Sequence, residues 1–215
     1  MVDATFVEVP RQRNTREQNA QIKAGEIPPA FAENAKLRAH KDTDARWAMK
    51  DFKPYYGDKN HCKVDVADKP LGRLGALSLS KRLILAAQVT PANVPDSRPF
   101  SELVKAGDRS VHADSAYQSA AAAADLAAKG VTAHLNVQGT KTRPLDEAQK
   151  EANRERSKVR SRVEHVFAQM RGSMRALWQR CIGLARNAAG IVLTNLVYHM
   201  MRFEQIARLR IVYPA

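Results

Sequence analysis

Two cysteines in 215 residues, Cys62 and Cys181, are too few for a disulfide scaffold, and neither stands in a Cys-x-x-Cys pair. A stapled secreted domain and a cysteine-ligated zinc site are thereby excluded, and a reducing, cytoplasmic setting is expected. Long apolar runs are also missing. The richest, 191–201 (IVLTNLVYHMM), contains Asn195 and His199 and falls short of the ~18–20 residues that span a bilayer. The opening MVDATFVEVP lacks the basic-then-apolar order of a secretion signal. No Walker-type phosphate loop, Gly-x-Ser-x-Gly nucleophile, HExxH pair or internal repeat is present. Negative charge is the scarce sign: 22 Asp and Glu face 35 Lys and Arg, giving +13. Such a balance predicts attraction to a polyanion, nucleic acid first and membrane surface second, and is silent about fold.

What is present suits one α/β domain with room for an appended arm. Residues 2–9 (VDATFVEV) alternate and are rich in β-branched side chains, which predicts a first strand closed by Pro10. Residues 11–38 are polar and contain Pro28 and Pro29, as in a connection or a set of short helices. Residues 44–53 lead into a second strand over 55–66, where Gly57 permits a bulge or close backbone approach. Residues 70–80 (PLGRLGALSLS) are small and apolar, and 82–89 (RLILAAQV) have the continuous hydrophobicity of a strand buried on both faces. A proline-punctuated loop over 90–99, a short helix over 101–106 and a brief strand in SVHADSAY follow. An alanine-rich helix over 119–129 ends at Gly130 and gives way to a strand over 131–137. His134 within it reads as a packed histidine. His61 and Cys62 are strand neighbours facing opposite ways, which argues against a metal pair.

A basic loop over 139–144 precedes a long helix opening at Leu145 or Asp146. A final amphipathic helix over 185–209 places Ile191, Leu193, Leu196, Val197, Met200 and Phe203 in the expected core, with Arg202, Arg208 and Arg210 in its last turns.

The long helix carries the chemistry. In SKVRSRVEHVFAQMR, Val159, Val163, Val166 and Met170 form an apolar stripe, and Ser157, Arg160, Glu164 and Arg171 share the strip beside it. Glu164 has two readings: an i,i+4 ion pair with Arg160, worth a few tenths of a kcal/mol, or a metal ligand. Asp3 and Asp114 each stand at an end of a strand-like run, and Asp114 reads equally as a helix cap or as a group in the crevice beyond a strand's carboxyl end. Three carboxylates from distant segments can hold divalent metal for phosphoryl transfer. Arg154, Arg156, Lys158, Arg160 and Arg162, at spacing two, wrap the helix, either as a solvated surface or as contacts to a phosphate backbone. Lys59, Asn60 and His61 are further phosphate candidates.

At VDATFVEVP, HADSAY and RSRVEHVFAQMR together, the sequence resembles the DDE transposases of bacterial insertion sequences, group five, with a DDE domain of the insertion-sequence-four type. DTDARWAMKDFKPYYGDKNHCKVDV, VTPANVPDS, RPLDEAQKEANR and IGLARNAAGIVLTNLVYHMMR extend the resemblance from residue 1 to about 203. It implies a ribonuclease-H-like fold: a mixed five-stranded sheet flanked by helices, with Asp3 on the first strand, Asp114 just after the fourth and Glu164 on a late helix. The implied site holds two Mg²⁺ or Mn²⁺ ions between Asp3, Asp114 and Glu164, which cut double-stranded DNA at the element's ends and join them to a target. From the charge pattern the expected DNA contacts are Lys59, Arg154, Lys158, Arg160 and Arg171, and a homodimer bridging two ends is the assembly the resemblance implies.

The family's Tyr-Arg-Glu-Lys signature is met by Arg160, Glu164 and Arg171, with arginine for lysine and Ser157 in place of tyrosine. The expected organisation is one catalytic domain over 1–210 with a polar, partly irregular insertion at about 11–50, extra sequence at 71–80, and no N-terminal DNA-recognition region. That describes an N-terminally truncated transposase, with activity retained or lost. Another RNase H-like nuclease, or a non-catalytic basic DNA-binding remnant, are the alternatives.

Overall fold

The computed structural model describes residues 1–65, 82–140 and 142–208; the features expected of 70–80 and of positions 209 and 210 lie outside them. In chain order the elements are β1 (Val2–Glu8), α1 (Arg16–Ala24), α2 (Pro29–Ala32), α3 (Ala35–Ala39), β2 (Arg46–Lys50), β3 (Lys53–Val64), β4 (Ile84–Pro91), α4 (Phe100–Leu103), β5 (Ser110–Ala113), α5 (Ala120–Ala128), β6 (Thr132–Leu135), α6 (Glu147–Arg171) and α7 (Leu184–Arg208). The chain is thus mixed α/β. No helix of the described residues is long and apolar enough to cross a membrane.

In place of a single five-stranded sheet, the described residues form a four-stranded antiparallel sheet and a separate parallel pair, β5–β6. β3 is the hub: it pairs with β1 (Asp3 opposite Cys62), with β2 and with β4. β5 lies against β1 without a hydrogen-bonded ladder between them. At Gly57, where β3 passes from β1 to β2, φ is +147° and an added Cβ would stand 2.2 Å from Val7 O, so only glycine fits. The strand β2, which 44–53 does not announce, turns into β3 through Asp51 and Phe52, both at positive φ (49° and 59°). That is the two-residue hairpin geometry normally written with Asn and Gly. Without those residues the sequence hid it. β4 is not buried on both faces either: Ile84 is buried while Leu85 and Ala87, on the opposite face, are exposed, so only one face of the strand's start is covered.

Side-chain alternation sends the hub strands' residues to two cores. Met1, Cys62 and Val64 pack with Val163, Val166, Phe167 and Met170 of α6 on one face, while Val2 packs with Val111, Ala113, Tyr117 and Leu126 on the other. The long helix α6 begins at a capping box, Asp146 with Gln149, and buries its predicted stripe, Val159 only partly. The polar 11–38 segment forms the short helices α1 to α3, the first opened by a Thr15–Gln18 capping box.

Helix α7 departs most from expectation. Ile191 is buried, but Leu193, Leu196, Val197, Met200 and Phe203 face solvent. The buried side is Asn187, Ile191, Asn195, Tyr198 and Arg202. Polar partners on β3 and just before β4 chose that side. Asn60 Nδ2 donates to Asn195 Oδ1 (2.9 Å), Asn187 Nδ2 to Asp58 Oδ2 (3.1 Å) and Tyr198 Oη to Arg82 O (2.8 Å). The helix start is held by two distant carboxylates: Asp42 accepts from Gly183 N–H (3.0 Å) and Asp44 from Leu184 N–H (2.9 Å), where the helix dipole favours negative charge.

Candidate active site

Three segments far apart in sequence meet along one cleft. Asp3 is two residues beyond Met1 on β1, so the strand's period of two turns it to the same face, toward α6. Asp114 stands immediately after β5 and caps the 3₁₀ turn Ser115–Tyr117, accepting from Ser115 N–H at 2.7 Å. The cap reading and the crevice reading therefore hold together. Burial of Val163, Val166 and Met170 leaves Glu164 on the open edge of α6. Asp3, Asp114 and Glu164 all line a cleft of about 790 Å³, together with Asp96, Tyr117 and Arg160.

Arg160 ties two of these acids together. Its Nη1 lies 3.4 Å from Asp3 Oδ2 and its Nη2 3.8 Å from Glu164 Oε1. The i,i+4 pair foreseen for Glu164 exists, and the same guanidinium reaches across to the first strand. Burial pushes the Asp3 carboxyl above its ordinary value; the Ala4 N–H (2.8 Å), Arg160 and Lys50 oppose this, and Asp96 adds to it. Tyr117 is buried with no hydrogen-bond partner for its hydroxyl. Burial first, then Asp3, Asp96 and Asp114, push that hydroxyl far above its ordinary value, so it keeps its proton.

The predicted cations divide. Lys59, Arg160 and Arg171 line the cleft. Lys59 Nζ donates to Asp96 Oδ1 (2.8 Å) and Val94 O (3.0 Å) and stands 5.1 Å over the Phe6 ring, which is stacked on Tyr55. Arg154 and Lys158 are exposed farther along α6, paired with Glu151 and Glu155 one turn back. Asn60 and His61 are buried and take no part in the cleft wall. His61 Nε2 meets Thr90 Oγ1 at 2.8 Å, and burial lowers its pKa to about 4, so the ring is neutral. His134 stacks on His112 at 4.5 Å, as a packed histidine.

Sequence reasoning missed Asp96, Lys50 and Tyr117. Asp96 sits in the proline-punctuated loop after β4, where no periodicity marks a side chain's direction. Lys50 reached the cleft through the unannounced β2–β3 hairpin. Ser157 accepts from Asn136 Nδ2 (3.1 Å), and the tyrosines at the cleft are Tyr55 and Tyr117.

The donor set suits a hard divalent cation, being carboxylate oxygen throughout. Among the described residues no three such side chains are gathered tightly enough to share one ion as they stand. Arg160 fills the role of counter-cation between Asp3 and Glu164, which marks the position as one that accepts positive charge. The family described as Transposase DDE domain matches residues 1–200. No curated protein and no solved structure matches the chain.

Proposed function

The chain belongs to the transposase DDE domain family, and from that premise we propose that the cleft cuts DNA phosphodiesters at the ends of an insertion sequence of group five and joins them to target DNA. Asp3, Asp114 and Glu164 are the residues that would hold two Mg²⁺ or Mn²⁺ ions. When bound, such ions supply activation of a water or 3′-hydroxyl and stabilisation of the leaving oxygen. One observation carries the reading: carboxylates from positions 3, 114 and 164 line a single cleft, and a cation already lies between two of them.

The chain's own residues have definite tasks. Arg160 releases Asp3 and Glu164 when a stronger cation or a phosphate enters. Lys59 and Arg171 hold backbone phosphate at the cleft, with Arg154 and Lys158 extending the track along α6. Tyr117 stays protonated and offers a donor beside the acids. The ribonuclease-H-like reading is supported by strand order: β4, β3 and β1 are antiparallel neighbours, and the parallel pair β5–β6 flanks β1. A two-ended DNA substrate also favours two copies acting together.

The test is Mn²⁺-dependent cleavage of DNA carrying the element's ends by the purified chain, followed by a strand-transfer assay. Glu164→Gln should lower cleavage by at least about 10²-fold, as expected when a metal-held transition state loses several kcal/mol. Cleavage unaffected by that substitution would sink the assignment, and cleavage without strand transfer would make the chain a nuclease of the same fold.

A further inference from the structure

Helix α7 presents Val192, Leu193, Leu196, Val197, Met200, Met201 and Phe203 outward, each at least 40% exposed. They occupy roughly half of the helix circumference, and Ile191 and Tyr198 are buried on the other half. A helix apolar on both sides is ordinarily covered on both. These seven side chains expose on the order of 700 Å², close to the roughly 800 Å² per partner of a standard interface and above what a monomer usually leaves in one patch.

We propose that this face is covered by the same face of a second copy of the chain, packed antiparallel about a two-fold axis level with Tyr198. Three observations favour that occupant. The exposed seam runs Ala189, Leu193, Leu196, Met200, Phe203, Ala207, at spacings of four, three, four, three and four, the a/d rhythm of a coiled coil. That series reads the same in both directions, with an alanine at each end. A two-fold axis therefore sets Leu193 against Phe203 and Leu196 against Met200 of the other copy, as a self-complementary interface requires. Second, the one formal charge between Ala189 and Phe203 is Arg202, buried on the inner side, so two chains of +13 can approach here without opposing cations. Third, Glu204 and Arg208 form an exposed pair beside the last turn of the seam. Parallel packing would set like charges side by side, and antiparallel packing separates them. DNA does not fit the face, which offers no cation to a phosphate.

The inference does not use the cleft, so its failure leaves the catalytic reading standing. Light scattering on the full chain at about 50 µM, where an interface of this size is populated, should give twice the 23.9 kDa chain mass. Leu196→Glu with Met200→Glu should return the mass to one chain with an unchanged circular dichroism spectrum. In a Cys181→Ser background, Leu193→Cys and Phe203→Cys chains should cross-link when mixed, and neither should cross-link alone. A monomer at that concentration, a dimer that survives the two glutamates, or self-cross-linking of Leu193→Cys would each overturn the proposal. So would a monomer that pellets with phosphatidylcholine vesicles, which would assign the face to lipid.

Discussion

Helices α6 and α7 are both 25 residues long and both pack near β3, yet they turn opposite surfaces inward. The inner face of α6 is Val163, Val166, Phe167 and Met170, with cations outside; α7 turns Asn187, Asn195 and Arg202 in and leaves its leucines and methionines out. The strand explains the difference. Asp58, Asn60, Cys62 and Val64 alternate onto one face of β3, polar at one end and apolar at the other. Cys62 and Val64 meet the valines of α6, while Asp58 and Asn60 meet the asparagines of α7. Burial holds the first helix in place, and hydrogen bonds plus the Asp42 and Asp44 caps hold the second.

The largest effect that would expose this contrast comes from one substitution made on each helix. Val163→Asp buries an unpaired charge at a position with 0% exposure and should cost more than about 4 kcal/mol, enough to leave little folded protein. Val192→Asp, on the outer face of α7, should change the stability of the monomer by no more than about 0.5 kcal/mol. If Val163→Asp cannot be purified, urea unfolding of Met170→Ala, expected to lose about 2–5 kcal/mol, can be set against Met200→Ala. Equal losses on the two helices would abolish the distinction.

A pH scan probes the polar end of the strand. Burial, then the neighbouring charge of Asp42, raises the Asp58 pKa to about 7, with the Asn187 bond opposing. The native state therefore holds a proton that the unfolded chain has already lost between about pH 4 and 7. Stability contributed by protonated Asp58 is present at the acid end and is lost as pH rises through 7. Asp58→Asn should flatten that slope and, above pH 7, gain on the order of 4 kcal/mol at 1.36 kcal/mol per pKa unit. A slope that survives the substitution would assign it to another group.

The same contrast explains what the sequence could reveal. The α6 stripe was legible because its apolar residues recur at helical spacing with charges opposite, and Glu164 followed as the acid beside it. For α7 the period could not choose a face, because apolar residues surround the helix; the choice was made by Asp58 and Asn60, far away in sequence. Asp3 and Asp114 were visible as acids at strand ends, since alternation fixes direction there. Asp96 was not, lying in a loop without a period. The β2–β3 turn was hidden because Asp51 and Phe52 adopt positive φ without glycine or asparagine.

A smaller effect tests whether hydrogen bonds, rather than apolar burial, seat α7. Asn195→Leu leaves Asn60 Nδ2 without its acceptor in a buried position and should cost about 1–3 kcal/mol. Adding Asn60→Leu should recover most of that loss, because two apolar groups can replace a buried polar pair at little cost. A double variant no better than the single one would mean that this pair does not decide which side of α7 packs inward.

The smallest effects lie on the outer faces, where the two helices should differ in DNA binding and scarcely in stability. Arg154 on α6 pairs with Glu151 at 2.6 Å, and Arg208 on α7 with Glu204 at 3.1 Å, all four side chains more than half exposed. Such pairs contribute at most about 1 kcal/mol each, so neither Arg154→Ala nor Arg208→Ala should move the urea midpoint far. Binding to duplex DNA across a salt series separates them. Loss of a phosphate contact at Arg154 should reduce the slope of log K against log salt by about 1 and weaken all sequences alike. Arg208, beyond the apolar face of α7, should leave the slope unchanged. Identical slopes for the two variants would mean that the cations of α6 are a solvated surface and that the DNA track begins and ends at the cleft.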